Sequence, residues 1–157
     1  MKISGLMVDP VTNMPIVILK DDSEDRVLPI WVGIFEANAI ALRVEEIETP
    51  RPMTHDLLRN LIDTFEAKIE KIVVSELRDN TYFAVIHVVA NGSEYAIDCR
   101  PSDALALAVR SAAPIFVEEA VLDQARRSDD ERTPSESDRL RRWFESLDPE
   151  EFSKYKM

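Results

Sequence analysis

Shifting the chain against itself from residue 36 to residue 103 lays Glu36-Ala37-x-Ala39-x-Ala41-x-Arg43 onto Asp103-Ala104-x-Ala106-x-Ala108-x-Arg110 without a gap. An acid, three alternating alanines and an arginine at one fixed spacing describe a helix with a small-residue face and a charge at each end. The same register places Ile30 on Ile97, Leu42 on Val109, Asn13 on Asn80, and the apolar run 16–19 over 83–86. We read this as a duplicated β-β-β-α unit, with residues 48–67 joining the copies. Each copy has an apolar face it cannot bury alone, so the two must share one core. The expected fold class is therefore α+β: duplicated β-β-β-α units sharing one mixed or antiparallel sheet core with helices packed on it, plus a C-terminal helical tail.

Short runs of β-branched and apolar residues bounded by Asp, Asn, Pro and Ser predict strands at 2–8, 15–20, 27–32, 69–77, 82–90 and 94–99, with a last short one at 114–117. Asn91-Gly92 between two of them is a strong hairpin signal. Helices are expected over 33–47, 54–67, 101–112 and 118–127. In the second, Leu57, Leu58, Leu61, Ile62 and Phe65 recur at helical spacing, so that face should pack, with Thr54 as its N-cap. The core domain is set at 1–125, with internal copies about 1–47 and 68–114 and the helical insert 48–67. The polar run that follows marks a linker at 126–135. Thr133-Pro134-x-Glu136 starts an amphipathic tail helix over 136–157, whose stripe of Leu140, Trp143, Phe144 and Leu147 needs the core or a partner protein to dock on.

Of the 157 residues, 30 are acidic and 19 are Lys or Arg, a formal charge of −11. That opposes sequence-independent binding to nucleic acid, which depends on cations displacing counterions from phosphates. Three scattered glycines supply neither a Walker loop nor a dinucleotide fingerprint, so no nucleotide cofactor is expected. A single cysteine, Cys99, permits no intrachain disulfide and no thiolate zinc site, which fits a reducing cytoplasmic location. Neither a signal peptide nor a membrane span is read, and any hydrolytic chemistry must lean on carboxylates.

Candidate groups gather at two places. With Pro101 in the first turn and Arg100 as cap, Asp103 falls at the third helical position, as Glu36 does after Gly33. Both acids then face the positive end of a helix dipole and serve as caps, with Arg43 and Arg110 as ion partners on the helix surface. The chemical reading takes Asp98, Arg100, Ser102 and Asp103 as one polar cluster at a strand-to-helix junction, with carboxylates for a metal and Arg100 for a phosphate. His55 and Asp56 open the middle helix after Pro50-Arg51-Pro52, His55 as a general base and Asp56 as a metal ligand or orienting group. His87 reads as an ordinary sheet residue.

The runs "LPIWVGIFEANAIAL", "RPMTHDLL" and "YAIDCRPSDALALAVRSAAPIFV" resemble the bifunctional nuclease domain family over residues 1 to about 125. The resemblance implies an α+β fold, often dimeric, and a metal-assisted phosphodiesterase acting on DNA, RNA or both, with Mg²⁺ or Mn²⁺ as the cofactor. The matched motifs carry Asp98, Arg100, Ser102, Asp103, Glu36, His55 and Asp56; we take Asp98, Asp103, Glu36 and His55 as the catalytic residues, and Arg100, Ser102 and Arg51 as the substrate-binding ones. Asp98, Asp103 and Asp56 are the implied metal ligands. A homodimer or higher homo-oligomer is expected. The alternative is a non-enzymatic dimeric protein-interaction module in which the paired acids are only helix caps.

Overall fold

A computed structural model of the chain describes residues 1–23 and 26–131. It shows an α+β fold in the order β1 (Lys2–Val8), β2 (Pro15–Lys20), β3 (Val27–Trp31), α1 (Ile34–Val44), α2 (Thr54–Thr64), β4 (Lys68–Arg78), β5 (Thr81–Ala90), β6 (Ser93–Cys99), α3 (Pro101–Ser111), β7 (Ile115–Val117) and α4 (Glu119–Glu131). The sequence pattern places the strands and helices of the core to within a few residues. Helix α4 runs on to Glu131, into the stretch expected as linker, and the expected tail helix lies outside the described residues.

The expected single sheet is instead two. One is β1-β2-β3, antiparallel; the other is β6-β5-β4-β7, antiparallel except for the parallel β4–β7 pair. Among the described residues no strand of the first half pairs with one of the second; the halves meet chiefly through side chains. Val17, Leu19, Leu28 and Ile30 of the first sheet share one buried cluster with Ile72, Val74, Ala84 and Ile86 of the second and with Ala37, Ile40, Ala104 and Leu105 of the helices. Each fully buried Leu or Ile there contributes about 1.5–3 kcal/mol. The alanine faces of α1 and α3 are what allow the helices to lie close to each other and to the sheets, and Ala37, Ala104 and Ala106 are all fully buried.

Two tight turns set the second sheet. Asn91 and Gly92, with φ of 52° and 74°, close the β5–β6 hairpin between the paired residues Ala90 and Ser93. Asp79 and Asn80, with φ of 49° and 60°, do the same between Arg78 and Thr81. Positive φ at both central residues is the twist-compatible hairpin geometry.

Helix α2 departs from expectation. Its N-cap is Met53, so Thr54 is the first helical residue, and of its eleven residues only His55 is buried. Leu57, Leu58, Leu61 and Phe65 stand exposed, Phe65 at 74%. Ile62 alone of the apolar stripe reaches the shared core, because α2 lies chiefly against α3 and meets the sheet mainly at β4. Among the described residues no helix is long and apolar enough to cross a membrane.

Candidate functional site

The N-termini of α1 and α3 lie side by side, and the first turn of α2 meets α3. Pro101 fixes the opening of α3 directly after the last residue of the β6 strand segment and its cap, and Arg100 is that cap, in extended backbone at φ −73° and ψ 145°. Its guanidinium projects from the helix mouth. Nε donates to Asp103 Oδ2 at 2.8 Å, while Nη2 donates to Asp103 Oδ1 at 3.1 Å and to Glu36 Oε1 at 2.8 Å. One cation therefore bridges the acids at the third positions of both helices.

Both carboxylates stand in the first turn of their helices, as expected, but without the expected cap hydrogen bonds. The Glu36 carboxylate folds over Gly33, where a Cβ would collide with Oε2, and so glycine at that cap leaves the space the acid occupies.

His55 enters from α2, its Nε2 at 2.9 Å from Asp103 Oδ1. Burial raises the Asp103 carboxyl, but the hydrogen bonds from Arg100 and His55 outweigh it and hold the group below its ordinary value. Arg100 is shifted upward, first by its bonds to Asp103 and then by those to Glu36. With Asp103 ionised, the proton between the two side chains belongs on His55 Nε2, since a carboxylate only accepts. No buried side-chain nitrogen or oxygen among the described residues lacks a partner, and Nδ1 of His55 has no hydrogen bond with a described residue. A neutral His55 with its proton on Nε2 carries its lone pair at Nδ1, on a side chain 10% exposed.

The neighbouring residue, Asp56, turns to a different partner. Its Oδ2 accepts from the backbone N–H of Met53 at 2.9 Å, and its Oδ1 pairs with Arg110 Nε at 2.6 Å. Burial raises the Asp56 carboxyl; the Met53 amide and Arg110 more than reverse this, so it too lies below its ordinary value. Arg110 is not the surface ion partner expected from its spacing. Its side chain is 4% exposed, and it also donates to Ala106 O of its own helix at 2.9 Å and to Ala39 O of α1 at 3.0 Å.

The remaining expected residues stand apart. Asp98 pairs in register with Val85, whereas Cys99, Ile97 and Tyr95 pair with the core residues Ala84, Ile86 and Val88. Alternation along the strand then puts Asp98 on the sheet face away from the core, where it makes no hydrogen bond or ion pair with a described residue. Ser102 is buried at the second position of α3. Arg51 is exposed ahead of α2, its carbonyl accepting from Thr49 Oγ1 at 2.9 Å. His87 lies on the same face of the sheet as Asp98, within β5. The Cys99 thiol donates to Ala84 O, and burial pushes it up to about 11, so it is a poor nucleophile at neutral pH.

The ligand set expected for Mg²⁺ or Mn²⁺ does not converge. Asp103 is engaged by His55 and Arg100, Asp56 by Met53 and Arg110, and Asp98 lies across the sheet. Among the described residues no three His, Cys, Asp or Glu side chains are placed to hold one ion. The residues present do not fit a divalent ion resident on these three acids.

The profile of the bifunctional nuclease domain matches residues 17–130. An uncharacterised protein of Mycobacterium tuberculosis is 36% identical, with 96% of each chain covered. Bifunctional nuclease 1 of Arabidopsis thaliana is 28% identical over 116 residues, 72% of this chain and 36% of the plant protein. Bifunctional nuclease 1 of Oryza sativa subsp. indica is 24% identical over 132 residues, 82% of this chain and 40% of its own length.

Proposed function

This chain belongs to the bifunctional nuclease domain family, and on that premise we propose that it cleaves phosphodiester bonds of nucleic acid at the junction of α1, α2 and α3. The observation that carries the reading is the His55–Asp103 pair beside the exposed guanidinium of Arg100, whose Nη1 is uncommitted among the described residues. His55 Nδ1 takes the proton of the attacking hydroxyl, either water or a ribose 2′-OH, while Asp103 fixes the ring and balances the imidazolium that forms. The new oxygen–phosphorus bond forms and the old ester bond breaks. The imidazolium then returns its proton to the leaving oxygen or to water. Arg100 offsets charge on the phosphoryl oxygens, and Arg51, four residues before His55, offers a second cation to the polyanion. No step is routed through a metal. The two β-β-β-α halves are, on this reading, copies: the second supplies Arg100 and Asp103, and the helix joining the copies supplies His55.

A second reading, a dimeric protein-interaction module, is favoured by one specific observation: the uncovered Leu57, Leu58, Leu61 and Phe65 of α2. The deciding experiment is cleavage of fluorescent single-stranded RNA and double-stranded DNA by purified protein in EDTA, Mg²⁺ or Mn²⁺, beside folded His55→Gln and Arg100→Ala variants. Cleavage that persists in EDTA and is lost in His55→Gln supports the acid–base site. Cleavage only with added metal would overturn the metal-free step, and cleavage equal in all variants would indicate a contaminant and favour the module.

A further inference from the structure

We infer that Asp56 and Arg110 are positioning residues for His55: a clamp that seats the start of α2 on α3 and so holds the imidazole against Asp103. The interpretation of its effect on turnover rests on the acid–base reading above, but the clamp itself is a statement about geometry.

Beyond Ile62, which packs on the shared core, helix α2 has few apolar anchors. A helix of this length is normally fixed by its apolar stripe, yet here four of the large apolar residues face outward and His55 alone is buried. The start of α2 is instead tied to α3 by two adjacent residues, His55 to Asp103 and Asp56 to Arg110. Their partners are seven residues apart on α3, about 10 Å along its axis at 1.5 Å per residue. Two anchors so separated set the crossing of α2 over α3 as well as its position. With one anchor, the helix start can pivot about the other.

The two anchors are unequal. Arg100 and Asp103 lie at an open helix mouth, with the Arg100 side chain 65% exposed, whereas Arg110 is enclosed and hydrogen-bonded to three helices at once. Arg110 is therefore the fixed point, α1 and α3 are locked to it, and Asp56 passes that fixed position to the residue beside it. Lysine cannot reproduce this, because a single ammonium on a flexible stem lacks the planar fork that reaches Asp56, Ala106 O and Ala39 O together.

The test uses the full chain with Asp56→Asn and Arg110→Lys, because the two variants damage different things. Asp56→Asn leaves Arg110 free to keep Ala39 O and Ala106 O, so α1 and α3 stay joined and only the link to α2 is cut. Arg110→Lys keeps the Asp56–Met53 cap. The chain has two histidines, so long-range ¹H–¹⁵N spectra of the imidazoles, with His87→Gln to assign them, read His55 directly. In wild type, His55 should show a protonated Nε2 with a sheltered, slowly exchanging proton. Both variants, folded by their amide spectra, should lose or broaden that resonance, and kcat should fall about 10- to 100-fold with KM within about twofold, as expected for a displaced catalytic group. A wild-type His55 signal in folded Asp56→Asn would overturn the clamp, and that variant decides the matter if Arg110→Lys does not fold. If the resonance behaves as expected but wild type cleaves nothing, the acid–base reading falls and the clamp stands.

Discussion

Replacing Asp103 by asparagine separates what that residue does for stability from what it does for chemistry. Asp103 accepts from His55 Nε2 and twice from Arg100. Hydrogen bonds to charged groups contribute about 1.5–3 kcal/mol each when sheltered. Here Arg100 is largely in water and keeps Glu36, so solvent screening reduces the net loss to about 1–2 kcal/mol. For a chain of this size that lowers Tm by roughly 2–8 °C. The chemical effect is larger. The amide oxygen of asparagine keeps Arg100 Nε only at the Oδ2 position, which leaves its N–H₂ where Oδ1 met both Arg100 Nη2 and His55 Nε2. The imidazole must then carry its proton on Nδ1, and the lone pair there disappears. Cleavage should fall by about 10²–10⁴-fold, the range for loss of a general base. Urea unfolding and cleavage of labelled RNA and DNA on one preparation read both quantities. A folded variant that retains cleavage within threefold of wild type refutes the tautomer argument. The pH dependence has a definite sign: Asp103 lies below its ordinary value of 3.8, so its contribution to stability is present above that pH and is lost as the pH falls through the lowered value.

Three further outcomes are expected. Arg110→Met, which fills the same space without the guanidinium, should destabilise by about 2–4 kcal/mol because it leaves Asp56 uncompensated, whereas Arg59→Met, which breaks the exposed Arg59–Asp63 pair, should cost about 0.3–0.5 kcal/mol; equal urea midpoints would show that the enclosed guanidinium carries no special weight. Gly33→Ala drives Glu36 off its seat and hence off Arg100, so its effect and that of Glu36→Gln should fail to add, by about 0.5–1 kcal/mol in a double-mutant cycle, and simple additivity would mean that Glu36 keeps its bond. Alkylation of Cys99 by iodoacetamide at pH 8 should be at least tenfold slower than in urea, since the thiol is half-buried and titrates near 11; equal rates would contradict both.

The strands and helices were legible in the sequence because their patterns are local. Alternation in β5, the Asn91-Gly92 turn, and Pro101 after Arg100 each report a conformation within a few residues of themselves. The number of sheets was not legible, since identical apolar runs suit one shared sheet or two facing ones, and only hydrogen-bond pairing decides between them. Within the site, Arg100 and Asp103 follow from helix geometry, being cap and third position. Asp98 sits five residues before Asp103, yet strand parity sends it to the other face of β6, and proximity in sequence misled. Arg110 misled the other way. Its spacing from Asp103 suits a surface ion pair, but the small residues of α1 and α3 bring the two helices close enough to enclose it, and its true partners lie on α1 and α2.

Positions 33 and 100 are the N-caps of two helices that each open with an acid at the third position, and the difference between them creates the site. Glycine at both would leave Glu36 and Asp103 at neighbouring helix mouths with no cation between them, a repulsion that the shared Nη2 of Arg100 now relieves. Arginine at both would put a Cβ and a second guanidinium where the Glu36 carboxylate lies. One of each gives two carboxylates and one guanidinium, a local charge of −1 that becomes zero when His55 takes up a proton. The same balance does not attract a phosphate, so a nucleic-acid substrate must gain its affinity from cations outside this cluster, such as the exposed Arg51 in the approach to α2, four residues before His55.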